Sequence, residues 1–393
     1  MQSIFEQTNN VIIVGGGPVG CVLALGLQQN GIKFTLLEAR AKAASHADTR
    51  ALALSYGSKL ILEKLGVWEA INFKATPIKT IHISQRGGLG RTKLNAKDHQ
   101  LPALGYVLPY GALAKALDHE IEPSQVHFEA VVSNIEPNSL ASEVTFTHKN
   151  CVHTLVSPLV VVADGGRLGK IDGLDKTIKE YGHDALVTKV RAELAHNNIA
   201  YERFTPTGPM ALLPNGDMGY SLVWTGEKSS IDALTALDDS AFLTQLQDAF
   251  GERVGQFLSV EARISLPLKL STLKPASVMH LANNHLAIIG NAAQTMHPVA
   301  GQGFNVGLRD AQTLADLIIK TPQADLGNAA MLLNYIKART RDTRGGILFT
   351  DLLVNVFGND IAGLRTIRGA GLGALELITP LKRMLVGKMS FGK

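Results

Sequence analysis

The stretch Val11-Ile12-Ile13-Val14-Gly15-Gly16-Gly17-Pro18-Val19-Gly20 constrains this chain more than any other. A β-branched run leads into glycines at 15, 17 and 20, and a helical pattern from Val19 to Gln29 follows at once. In that spacing the first glycine turns the chain, the second lets a pyrophosphate approach the backbone, and the third lets helix and strand pack closely. The next apolar run, Phe34 to Leu37, ends at Glu38, where a carboxylate reaches an adenosine ribose. The unit is β-α-β, with the positive end of its helix facing phosphates. Gly15, Gly17, Pro18, Gly20, Glu38, Ala39 and Arg40 are the expected nucleotide contacts. The glycines also interrupt the uncharged run from Gln7 to Ile32, and no Lys or Arg precedes it, which argues against a signal or membrane anchor.

A chain of 393 residues exceeds the usual single core, so two packed domains are expected. With 46% hydrophobic and 18% charged residues the composition is globular. Helical patterns at Ser58–Leu65 and 111–120 alternate with strand patterns at Ile78–Ser84, Val126–Ile135, Glu143–His148 and Leu159–Ala163. Strand-like segments then dominate from Leu186 to Leu268, with a helical insert near Asp239–Phe250. After the short apolar strand His285–Ile289, helices at Gly303–Ile319 and Ala329–Arg344 close the pattern. No repeat or linker separates these parts, so the domains interleave along the chain. The expected fold is α/β: a discontinuous Rossmann-like nucleotide domain over 1–75, 101–180 and 275–345, a smaller substrate-binding sheet domain over 76–100 and 181–274, and a C-terminal helical segment over 346–393.

The net charge of +4 is too mild to suggest nucleic acid. It is also local: beyond Ile361 six basic residues face one acid, Glu376, giving +5 and leaving −1 for the rest. Two cysteines, Cys21 and Cys151, give neither a disulfide framework nor a metal spacing and read as packing residues in a reducing, cytoplasmic compartment. Gly369-Ala370-Gly371-Leu372-Gly373 has no apolar strand before it and reads as small residues on a helix-packing face.

Glu38 alone leaves NAD and FAD open. In Gly290-Asn291-Ala292-Ala293-Gln294-Thr295-Met296-His297-Pro298-Val299-Ala300-Gly301-Gln302-Gly303-Phe304-Asn305, an apolar strand runs into a glycine-spaced turn and a helix start, a second anion site. This segment resembles the ribityl-binding motif of the flavoprotein aromatic hydroxylases, the para-hydroxybenzoate hydroxylase-like superfamily. The resemblance implies FAD, with Gly290, Asn291, Pro298, Gly301, Gln302, Gly303, Phe304 and Asn305 around the ribityl chain and flavin. Asn291 stands where that family more often has aspartate. Asp48-Thr49-Arg50-Ala51-Leu52-Ala53-Leu54 matches the loop whose arginine lies near the flavin, which makes Arg50 a further contact. Val162-Ala163-Asp164-Gly165-Gly166-Arg167 resembles the family's DG motif and adds Asp164, although Leu168 and Lys170 replace its usual serine and arginine.

The Gly290–Thr295 form and Tyr201–Pro214 are similar to one branch, the hydroxylases that act on polyprenylated methoxyphenols in ubiquinone biosynthesis. That branch implies a prenylated phenol as substrate, O2 and transient NAD(P)H as co-substrates, and ring hydroxylation through a C4a-hydroperoxyflavin. His297, with Pro298 beside it, is the candidate base, or else a loop hydrogen-bonding residue. Tyr201, Arg203, Phe204 and Met210 are candidates for the ring site, or else ordinary sheet packing. The basic tail fits an anionic membrane surface at the inner face, a partner protein, or a packed helix pair, and a homo-oligomer is open. Three other readings also remain open: a sister hydroxylase acting on another ring carbon, an FAD-dependent reductase or dehydrogenase without oxygen transfer, and a non-enzymatic assembly or lipid-binding subunit that retains a vestigial nucleotide fold.

Overall fold

The computed structural model describes residues 4–7, 11–88, 90–168, 176–205, 207–273, 285–295, 302–340, 371 and 373–392. Its labelled helices are α1 (Pro18–Gln28), α2 (Tyr56–Lys64), α3 (Tyr110–Glu120), α4 (Lys228–Ala236), α5 (Asp239–Phe250), α6 (Gln302–Lys320) and α7 (Thr379–Phe391). A further helical stretch occupies 329–340.

Val11–Val14 lies at the centre of a five-stranded parallel sheet. Val160–Val162 and then Leu286–Ile288 flank it on one side, Phe34–Glu38 and then Val126–Phe128 on the other. Both faces are buried, which is why these strands read as unbroken apolar runs. Val11 and Ile13 point to one face and join α1, α3 and α6 in the largest core cluster. Ile12 and Val14 point to the other. There they meet Ile135, Val144 and Phe146 of a four-stranded sheet made by Ile4–Gln7, Cys151–Ser157, Ser142–His148 and Val131–Pro137. The sequence reading treats Val126–Ile135 as one strand, but the chain turns between two sheets there. Glu129 takes a left-handed φ of 57°, and the amides of Glu129 and Ala130 donate to the carbonyls of Arg40 and Glu38.

A nine-stranded sheet forms the other half of the molecule. Its main path runs Gln294–Thr295, Ile264–Leu273, Lys176–Ala192, Gly219–Glu227, Gly208–Asn215, Ile199–Thr205, Thr80–Gln85 and Arg91–Asn95. Phe257–Val260 pairs beside Lys176–Ala192. The stretch expected as one strand from Ile78 to Ser84 divides at Lys79, whose amide donates to the Asn198 carbonyl. Thr76–Ile78 belongs to a small sheet with Gly105–Pro109 and Ala51–Ser55, and Thr80–Gln85 to the large one. α4 and α5 cover one face of the large sheet, where Met210, Leu212, Tyr220, Leu222 and Trp224 pack on Ile231, Phe242, Leu246 and Phe250. Across the opposite face Ala200 and Leu213 meet Ile78 and Val107, so the small sheet is the bridge between the two halves.

Two side-chain readings change. Cys21 is a buried packing residue, but Cys151 is exposed, because it opens a strand opposite His148 across the Lys149-Asn150 turn. Gly371 and Gly373 have no heavy atom within 4 Å of where a Cβ would stand, so among the described residues these two face no packing partner.

Candidate functional site

The carboxyl ends of the parallel strands open onto a cavity of about 900 Å³, where ligands bind in open α/β sheets. Its wall contains Gly15, Gly17, Pro18, Glu38, Ala39, Arg40, Asp164, Asn291, Gly303 and Phe304. Segments nearly three hundred positions apart in the chain, the first glycine turn and the start of α6, therefore share one space.

The turn is built for close approach. Gly15 has φ of +108°, and a Cβ there would stand 2.6 Å from the Ala163 carbonyl oxygen, so only glycine fits between neighbouring strand ends. Gly20 does not line the cavity; a Cβ on it would collide with the Gly15 carbonyl, which makes it the strand–helix packing position. Gly17 caps α1 with extended backbone and has open space above it. Pro18 follows at the first helical position, where its missing N–H costs nothing.

At the far wall Glu38 is 5% exposed. The Gly16 amide donates to its Oε2 at 2.7 Å, and Arg40 donates through its backbone N and Nε to Oε1 and through Nη2 to Oε2. Burial alone would raise the acid's pKa. The Arg40 side chain, the Arg40 amide and charge, and the Gly16 amide outweigh that and hold it below the ordinary value. The carboxylate is thus ionised and fixed at the position where a ribose diol would meet it. Asp164 is oriented the same way, its two oxygens accepting the amides of Gly166 and Leu168.

The second turn is held from behind. The Gly290 amide donates to Asp310 Oδ2 at 3.1 Å, and Asp310 Oδ1 accepts Arg339 Nε at 2.6 Å. Both side chains are buried. Gly290 itself does not face the cavity; it packs on Val19 of α1. Asn305 also points elsewhere. Its Oδ1 accepts the Ser55 amide and the Ser58 hydroxyl, and its Nδ2 donates to the Ala53 carbonyl, tying α6 to the start of α2. Arg50 is outside the cavity wall, clamped by Asp48 at 2.6 Å and set over the Tyr110 ring. His297, Pro298 and Gly301 lie outside the described residues, as does the side chain of Gln302.

The four ring-site candidates separate. Tyr201, Arg203 and Met210 lie on the face covered by α4 and α5: Met210 is fully buried, Tyr201 meets Phe250, and Arg203 Nε donates to the Ala249 carbonyl. The period-2 alternation puts Phe204 on the opposite face with Ala200. Sequence reasoning missed Tyr110, Arg167 and the Val131–Asn134 edge, all in the cavity wall. The Val131–Asn134 edge had no signal because it reaches the wall only where Glu129 turns the chain between sheets.

The fit to a dinucleotide cofactor rests on these observations: a cavity of about 900 Å³, a glycine turn with room above it, and a fixed carboxylate in its wall. FAD would be held by the Gly15–Pro18 turn, Glu38 and the start of α6.

Comparison with known proteins agrees with this geometry. Residues 8–344 match the family model described as FAD binding domain. The ubiquinone hydroxylase UbiL of Rhodospirillum rubrum is 31% identical over 390 residues, covering 97% of this chain and 89% of that protein. The 3-demethoxyubiquinol 3-hydroxylase of Escherichia coli is 29% identical over 387 residues, covering 96% and 97%. The crystal structure of p-nitrophenol 4-monooxygenase PnpA from Pseudomonas putida superimposes with a TM-score of 0.74 at 16% identity, covering 98% of each chain, which shows a shared fold. The chain belongs to the FAD binding domain family.

Proposed function

We propose that this chain is an FAD-dependent monooxygenase that hydroxylates a prenylated phenol of ubiquinone biosynthesis, with NAD(P)H and O2 as co-substrates. The observation that carries the reading is the convergence of the Gly15–Pro18 turn, the Glu38 carboxylate and the α6 start on one cavity. The nearly full-length likeness to UbiL and to the 3-demethoxyubiquinol 3-hydroxylase supports the substrate class. FAD, when bound, supplies the electron storage and oxygen activation that no side chain offers. The chain's own residues do the rest. Glu38 holds the adenosine end, the α1 N-terminus faces the phosphates, and the α6 N-terminus supplies a positive dipole end for the flavin.

The large sheet's face that carries Phe204, Ala200 and Leu213 serves as the roof over the reacting ring and excludes water from it. His297 is the proposed base. The parallel-sheet half and the large-sheet half are the nucleotide and substrate domains. The tail beyond residue 346 docks on an anionic membrane surface, a role supported by exposed Leu377, Ile378, Leu381 and Met384 beside Arg383.

Purified protein carrying stoichiometric FAD and inserting one atom of labelled O2 into a prenylated methoxyphenol, dependent on reduced nicotinamide, is the expected result. FAD-bound protein that oxidises nicotinamide and leaves the phenol unlabelled would instead establish the reductase reading.

A further inference from the structure

The face of the large sheet turned away from the flavin side carries polar chemistry that the proposed reaction does not use. The register aligns Lys93, His82 and Tyr201 in one row across three strands, and Arg91, Ser84 and Arg203 in the next. Arg203 lies over the Phe250 ring at the end of α5, and Arg253 follows three residues later in the loop.

Within this cluster, buried polar atoms lack partners. His82 is 5% exposed and its Nδ1 has no hydrogen-bond partner; nor do Nη1 of Arg203 and the hydroxyl of fully buried Tyr220. Tyr201 joins His82 and Tyr220, with ring centroids 5.7 and 6.3 Å away. An unmet buried polar group costs about 1–3 kcal/mol, and the two certain donors among these three, Arg203 Nη1 and the Tyr220 hydroxyl, indicate an absent acceptor.

The charge is equally one-sided. Among the described residues Arg91, Lys93, Arg203 and Arg253 form no ion pair. Burial and the charges of Arg253, Lys93, Arg91 and Arg203 push the His82 pKa down to about 4, and burial with Arg253 and Arg86 lowers Arg203 to about 10. Glu376, which accepts the Lys93 amide, is ion-paired with Lys382 and not with these side chains, and a folded protein that gathers cations without ion-pairing them either tolerates the repulsion or fills the site. The exposed cations, Arg91, Lys93 and Arg253, stand at the rim, and the unpartnered donors lie below them.

We propose that the cluster of His82, Arg203 and Arg253 is a second ligand site, which binds a small oxyanion, a phosphoryl or carboxylate group, on the side of the substrate sheet remote from the flavin cavity. The bound anion accepts from Arg203 Nη1 and neutralises the rim cations. Because Arg203 and Tyr201 share strands with Phe204 on the opposite face, occupancy stiffens the sheet that roofs the ring site.

The test uses FAD-loaded protein, so that the dinucleotide cavity cannot report phosphate. Inorganic phosphate and acetate are titrated against potassium chloride at matched ionic strength while the thermal midpoint is followed. A saturable rise of about 3–5 °C with phosphate, acetate or both is expected at a large excess over Kd. The pattern of the two distinguishes phosphoryl from carboxylate ligands. The rise should vanish in Arg91→Gln/Arg253→Gln, two exposed positions whose exchange leaves the core intact, and in Arg203→Gln. A midpoint that follows ionic strength alone, or an anion-specific rise that persists in the Arg91→Gln/Arg253→Gln protein, overturns the proposal.

Discussion

Individual residues carry the nucleotide site through geometry as much as through chemistry. Glu38→Gln keeps the shape and removes the charge that the Gly16 amide meets and that a ribose diol would meet. Hydrogen bonds to a charged acceptor contribute about 1.5–3 kcal/mol, so FAD should bind roughly ten- to a hundredfold more weakly. Fluorescence titration of apoprotein with FAD measures this, and unchanged affinity would remove Glu38 from the site. Gly15→Ala acts differently: it sets a Cβ against the Ala163 backbone at a φ that side chains rarely adopt, and the protein should lose bound FAD and much of its thermal stability together.

The pH response follows from the same carboxylate. Its folded pKa lies below the ordinary 4.5, so its stabilisation is complete above that value and is lost as pH falls through the lower folded one. Urea midpoints of wild type should therefore drop between pH 5 and more acid conditions, roughly the range where an ordinary glutamate and a depressed one differ, and Glu38→Gln should flatten that drop. Glu38 and the glycines were legible because their chemistry depends on local spacing. Asn305 was not: the sequence places it at the flavin helix, but whether an amide faces ligand or protein depends on Ser55 and Ser58, about 250 positions away.

Among the elements, α6 is the one on which the second half of the site depends. It packs against α1 in the main core, and its first turn faces the cavity. Its register relative to the parallel sheet is fixed by Asp310, which ties it both to the Gly290 amide and to Arg339 in the stretch 329–340. Arg339→Met removes the guanidinium and leaves a buried carboxylate short of its counterion. Losing one partner of a buried pair costs about 3–5 kcal/mol, and FAD retention should fall with stability because the turn at Gly290 loosens. Adding Asp310→Asn should restore part of the stability by removing the stranded charge; a double variant no better than the single would show that the pair does not act as a unit. None of this was visible beforehand. The strand–turn–helix order was legible from apolar periodicity, but an ion pair between positions 29 apart carries no periodic signal. The single strand expected over Val126–Ile135 failed for a related reason: two β-rich runs merge in a sequence when only one left-handed residue, Glu129, separates them.

On the scale of the whole molecule, the two halves and the tail meet at the small sheet and α7. Leu385, Val386 and Met389 of α7 pack on Leu94 and Leu104, and Glu376 accepts the Thr92 hydroxyl and Lys93 amide while pairing with Lys382 at 2.8 Å. The tail's lone acid is thus spent on docking, which leaves the positive charge of Arg383 unopposed next to an outward apolar stripe. Leu381 and Met384 on α7 and Leu377, two residues before its start, remain exposed, with Leu377 at 84%. Among the described residues no helix is long and apolar enough to cross a membrane. These exposed side chains beside Arg383 predict that the protein cosediments with vesicles containing anionic phospholipid and much less with neutral ones, and that the attraction weakens as salt rises. Leu377→Ser/Leu381→Ser/Met384→Ser should abolish cosedimentation while FAD content and soluble-substrate turnover persist, because these side chains point away from the core that α7 covers. Equal binding of wild type and variant would assign the stripe to something other than lipid and would leave the basic charge as what holds the protein at the vesicle surface.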